Sequence, residues 1–136
     1  MWREASNMSD TKNQKIQEVF KEIMMIEPNV DWNEIRKRKH GRLRFPMYIN
    51  EKIKTTDLEA LELSVRSEHC LHRANYKTIG DLVEGINCRE DLKKIRNCGD
   101  KSVDEIMDKL FCYQYEQLSG QRKARFIVRL VELNVG

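Results

Sequence analysis

The sequence predicts an all-α fold, a compact bundle of short helices with helix-hairpin-helix elements, extended at each end by a further helical stretch. Three observations predict it. Charged residues make up 35% of the 136 residues and aromatics only 7%, a Glu-, Lys-, Leu- and Ile-rich profile that favours helices over sheets. Apolar residues recur at three- and four-residue spacing in the longer segments. Capping signatures, in which Ser, Thr, Asp or Asn precedes an acid by three positions, punctuate the sequence. This length suffices for one domain with a real core, or for a small domain with extensions.

Residues 1 to about 12 are polar and are expected to fray. From Thr11 to Ile26 the positions Ile16, Val19, Phe20, Ile23, Met24 and Ile26 predict a helix that Pro28 ends. Asp31 with Glu34 forms a capping box before Ile35, and the short helix that follows carries Arg36, Lys37, Arg38 and Lys39 before Gly41 stops it. Phe45-Pro46-Met47-Tyr48-Ile49 reads as an extended connector.

Punctuation is densest from about Glu51 to Phe111. Ser64 caps a helix through Val65, Leu71 and Ala74, Thr78 with Asp81 opens a second, and Asn87 with Glu90 opens a third before Leu92 and Ile95. A last helix begins near Asp100 with Val103, Ile106, Met107 and Leu110 on one side. After Tyr113, residues 122–133 set Phe126, Ile127, Leu130, Val131 and Leu133 against Arg122, Lys123, Arg125 and Arg129, a helix expected to pack its apolar face on the domain. The expected segments are therefore 1–49, 50–112 and 113–136.

The turn Asn97-Cys98-Gly99-Asp100-Lys101-Ser102 is the most specific local feature. A glycine there permits positive φ and close backbone approach. Lys101 and Ser102 then occupy the first turn of a helix, whose unpaired N–H groups and positive dipole end suit a phosphate. Ile79-Gly80-Asp81, nineteen positions earlier, echoes Cys98-Gly99-Asp100 and suggests two copies of one turn.

Other chemistries are disfavoured. No apolar run approaches the length of a bilayer span, and the first residues lack the apolar centre of a signal peptide, so a cytoplasmic location and no membrane are expected. Cys70, Cys88, Cys98 and Cys112 form no Cys-x-x-Cys pair and are expected as free thiols. His69, Cys70 and His72 would need a distant fourth ligand to hold a metal. No carboxylate cluster supports metal-assisted hydrolysis, so no catalytic residue, metal or cofactor is expected.

Taken together, Leu61-Glu62-Leu63-Ser64-Val65-Arg66-Ser67, Cys70-Leu71 and Ile79-Gly80-Asp81-Leu82-Val83 resemble the C-terminal domain of the bacterial RNA polymerase alpha subunit. The resemblance continues through Leu92-Lys93-Lys94-Ile95 and Gly99-Asp100-Lys101-Ser102-Val103-Asp104-Glu105-Ile106, covering about sixty residues in order. The flanks do not resemble that subunit, which suggests a free-standing protein built around the domain. The resemblance implies four to five helices that bind the A·T-rich minor groove and contact transcription factors. It implies that Arg66 enters the groove beside Cys70, that Gly99, Lys101 and Ser102 hold phosphate, and that Glu105 orients the arginine or a neighbouring donor. Two positions depart from the family pattern. His69 stands where an asparagine is usual, and Asp100 where a second lysine is.

Charge weighs on that expectation. Residues 51–112 hold eleven Lys or Arg against thirteen Asp or Glu, net −2, so phosphate attraction there is weak. Arg36, Lys37, Arg38, Lys39, Arg42 and Arg44 could supply it as an auxiliary contact for DNA or a partner. Two functions follow: a small DNA-binding protein of bacterial transcription, or an interaction module that mimics or docks on RNA polymerase or its regulators. An enzyme, such as a nuclease, lacks the residues for its chemistry.

Overall fold

In the computed structural model, backbone is described for residues 2–135 and side chains for residues 14–135. Eight α-helices and one 3-10 turn follow one another, and among the described residues there is no β-strand. The first helix, α1 (Trp2–Ile26), begins well before the predicted start, because the polar opening residues continue the helix instead of fraying. The side chains of residues 1–13 lie outside the described part.

Two compact units make up the fold, residues Met1–Phe45 with Tyr115–Gly136, and residues Pro46–Gln114. In the first, α1 stops just before Pro28 and α2 (Trp32–Arg38) starts at Asp31, whose carboxylate accepts the N–H of Glu34 at 3.1 Å. The last helix, α8 (Gln121–Asn134), buries Phe126, Ile127 and Leu130, while α1 buries Val19, Phe20 and Ile23 and α2 buries Trp32 and Ile35. Phe20 meets Trp32 at 6.2 Å between ring centres, and Tyr115 meets Phe126 edge-on at 5.8 Å. Lys123 bonds Glu22 at 2.7 Å, and that bond holds the Glu22 carboxyl below its usual range. Helical spacing thus produced two amphipathic faces, and burial gives each large apolar side chain about 1.5–3 kcal/mol.

The second unit contains α3 (Glu51–Thr55), a 3-10 turn (Leu58–Leu61), α4 (Val65–Arg73), α5 (Ile79–Gly85) and α6 (Arg89–Lys93), together with most of α7 (Asp100–Glu116). Val103, Ile106 and Leu110 line the buried side of α7 at three- and four-residue steps, facing a core that includes Ile53, Leu58, Leu71, Ile79, Leu82 and Leu92. The connector is extended as expected. Buried Gln114 fixes it by accepting the N–H of Tyr48 at 3.0 Å and donating to its carbonyl at 2.9 Å.

Three local expectations need correction. Thr78 and Asp81 do form a reciprocal capping box at α5, but Asn87 and Glu90 do not. There α6 starts at Cys88 without a side-chain cap, and Asp91 instead accepts the N–H of Asn87 at 2.7 Å. Positive φ falls on Asn97 (62°) and not on Gly99, since a residue with a short polar side group also adopts the left-handed region. Gly80 and Gly99 are not copies either. A Cβ on Gly80 would lie 2.5 Å from Lys54 Cα, whereas one on Gly99 would meet nothing within 4 Å. Gly80 allows α5 to approach α3; Gly99 faces open space.

Candidate nucleic-acid interface

Ser64 starts α4 in extended geometry, and its side chain accepts the N–H of Ser67 at 3.3 Å. Glu105 of α7 completes the arrangement, accepting the Ser64 hydroxyl at 2.8 Å and the Ser64 N–H at 3.2 Å. The expected orienting role of Glu105 therefore falls on the cap of the helix that carries Arg66. Arg66 itself is the second residue of α4 and is exposed, as is Val65 before it.

Farther along α4, the structure ties the helix to the turn before α7. Buried Cys70 donates its S–H to the Asn97 carbonyl at 3.4 Å, so it fastens α4 from inside and offers nothing to solvent. Burial, with the Cys70 thiol beside it, pushes the Cys98 thiol up to about 11. All four cysteines are free thiols. His69 is exposed, and with His72 and Arg73 it lines a shallow depression. Arg73 was missed in the sequence, although it lies seven residues beyond Arg66 and so returns to the same helical face. Its guanidinium donates to the His69 carbonyl at 3.4 Å.

At the start of α7 the first N–H to bond back is that of Val103, to Gly99 O at 3.0 Å. The N–H groups of Asp100, Lys101 and Ser102 thus have no intrahelical partner. Gly99 and Lys101 are exposed, while the Ser102 side chain is buried. Asp100 lies 3.7 Å from Arg89 and 3.6 Å from Lys93, and Arg89 also grips Asp104 at 2.8 and 3.0 Å. The departure at Asp100 is thereby given a structural partner set that no local pattern announced. Among the described residues, no group of three or more His, Cys, Asp or Glu could hold a metal ion. No helix among them is long and apolar enough to cross a membrane. The cluster from Arg36 to Arg44 belongs to the other unit.

These features define an all-helical domain with helix-hairpin-helix elements and two helix starts braced by Glu105 and Cys70. Residues 49–111 match the family model for the C-terminal domain of the bacterial RNA polymerase alpha subunit, and this part of the protein is a domain of that family. Curated relatives agree. The DNA-directed RNA polymerase subunit alpha of Thermotoga maritima is 48% identical over 61 residues, 45% of this protein and 18% of that subunit. The Thermotoga petrophila subunit is 53% identical over 53 residues, 39% of this protein and 15% of that subunit. The Clostridium botulinum subunit is 37% identical over 93 residues, 68% of this protein and 27% of the relative. In each case the match spans little more than a quarter of the relative's length, or less. No solved structure matches it significantly.

Proposed function

We propose that the protein is a small, non-enzymatic, cytoplasmic DNA-binding protein of bacterial transcription that grips A·T-rich duplex weakly through its second unit. Arg66 enters the minor groove, where narrow A·T tracts concentrate negative potential. Lys101 and the free N–H groups of Asp100, Lys101 and Ser102 hold an adjacent phosphate, with Gly99 leaving room for the backbone to approach. Ser102 acts through its amide, since its side chain is buried. His69, on the face of α4, offers one donor and one acceptor.

One observation carries this reading: Glu105 bonds both the N–H and the hydroxyl of Ser64. The helix bearing Arg66 is thereby braced against the helix bearing Lys101, and both starts are ordered before a ligand arrives. The net −2 of the unit keeps binding weak and salt-sensitive. Fluorescence anisotropy on A·T-rich and G·C-rich duplexes tests it. The parent binds the A·T-rich duplex more tightly, and Arg66→Ala loses that preference. Equal binding by parent and variant refutes the assignment.

The ion pairs of Asp100 favour a second reading. They occupy Arg89 and Lys93 beside the phosphate position, which suits a module that mimics or docks on RNA polymerase or its regulators. Pull-down from nuclease-treated bacterial lysate then recovers polymerase or a regulator. Recovery of nucleic acid alone counts against it.

A further inference from the structure

Positive charge is concentrated outside the family domain. The first unit holds fourteen Lys or Arg against nine Asp or Glu, net +5, whereas the second holds eleven against thirteen. Residues 35–50 contain four arginines, two lysines and His40, and no acid. Such a run is ordinarily a solvated face. Its geometry argues otherwise.

The stretch is held in one shape. His40 (φ 57°) and Gly41 (φ 75°) turn the backbone left-handed after α2. The N–H of Gly41 bonds Arg36 O at 2.7 Å, and that of His40 bonds Lys37 O at 3.1 Å. Beyond the turn, buried Asn134 of α8 accepts the N–H of Arg44 at 2.8 Å and donates to its carbonyl at 2.6 Å. Arg38 donates to the Asn134 carbonyl at 3.3 Å. Among the described residues, no carboxylate pairs with Lys37, Arg38, Lys39 or Arg44. With the backbone of the turn already held, an anion that meets these cations has only their side chains left to order.

We propose that this turn is a second nucleic-acid surface, which takes the duplex phosphate backbone without reading sequence. It uses none of the residues assigned to the family domain. Phosphate fits better than the other anionic surfaces. Membrane docking pairs cations with exposed apolar anchors, but within the turn Ile35 and Phe45 are buried and Leu43 is half-buried, and the exposed Tyr48 and Ile49 belong to the second unit. Protein interfaces favour aromatics alongside arginine and are depleted in lysine, and residues 36–44 carry two lysines and no aromatic. Arginine forks and lysine ammoniums both suit phosphate oxygens.

The full-length protein and its Lys37→Gln/Lys39→Gln/Arg44→Gln variant are titrated onto A·T-rich and G·C-rich duplexes between about 50 and 200 mM salt. Each lost phosphate contact lowers the slope of log affinity against log salt by about 0.9, so the triple variant loses about 2.7 on both duplexes. Should that variant fail to melt cooperatively, Lys37→Gln alone, at an exposed position, loses about 0.9. An unchanged slope overturns the proposal. It is also overturned if phosphatidylserine vesicles or polyglutamate bind as tightly as duplex and depend equally on these cations. Arg66→Ala is run in parallel. Loss of A·T preference there, with an unchanged slope in the triple variant, retains the groove reading and rejects this one, and the reverse result does the opposite.

Discussion

Gly80 and Gly99, each followed by aspartate, respond differently to alanine. In Gly80→Ala the new methyl lies 2.5 Å from Lys54 Cα, 3.0 Å from its carbonyl oxygen and 3.1 Å from its carbonyl carbon. All three atoms are backbone, so nothing flexible is there to swing away. Nor can α3 withdraw freely, because Ile79 N–H bonds Thr56 O at 2.8 Å and Leu58 N–H bonds Lys77 O at 3.3 Å. Relief of the contact needs a shift of about 0.9 Å, and overpacking of this kind costs about 3 kcal/mol at the upper end of its usual range. Alanine returns up to about 1 kcal/mol through helix propensity. The net loss is about 2 kcal/mol, a fall of about 8–16 °C in Tm for a unit of this size. At Gly99 the methyl meets nothing and φ is not positive. The poorer N-cap and the reduced unfolded-state entropy there cancel to within about 0.5 kcal/mol. Thermal and urea unfolding followed by circular dichroism measure both variants. If Gly80→Ala melts at or above the parent, or Gly99→Ala loses more than about 1 kcal/mol, the packing argument is wrong.

Three further outcomes are expected. Glu105→Ala loses about 1.5–3 kcal/mol in urea unfolding and weakens duplex binding with Arg66 intact, whereas Glu105→Gln, which keeps an acceptor, recovers most of both. Asp100→Lys frees Lys93 and adds a cation at the α7 start while Arg89 stays on Asp104, so anisotropy reads tighter binding and a salt slope steeper by about 0.9 per phosphate newly reached; unchanged binding removes the α7 start from the interface. The backbone N–H groups of Lys77 and then Thr78 hold the Asp81 carboxyl below its ordinary value of 3.8. Its stabilisation is therefore complete above that value and is lost as pH falls through the lower folded value. Urea midpoints measured from about pH 6 to about pH 3 decline less steeply for Asp81→Asn than for the parent; parallel declines rule out this linkage.

Features that span a single helical turn were legible in the sequence. Ser64, Asp31 and Thr78 could be recognised as caps because cap and recipient lie within three residues. The box at Asn87 failed because a competing acid, Asp91, lies one residue beyond Glu90 and reaches the same amide region. Apolar spacing identified the buried faces of α1, α7 and α8. It could not show that Lys123 pairs with Glu22, 101 residues away in sequence.

At the turn from Asn97 to Ser102, residue order alone determined that a helix would begin after Gly99, and a long collinear resemblance attached the turn to a family. Tertiary structure decided what each residue there does. It moved the left-handed conformation to Asn97, turned Cys70 inward, engaged Asp100 with Arg89 and Lys93, and set Glu105 on the Ser64 cap. The physical reason is range: capping and propensity act within one turn of helix, whereas ion pairs and close packing join residues that only folding brings together.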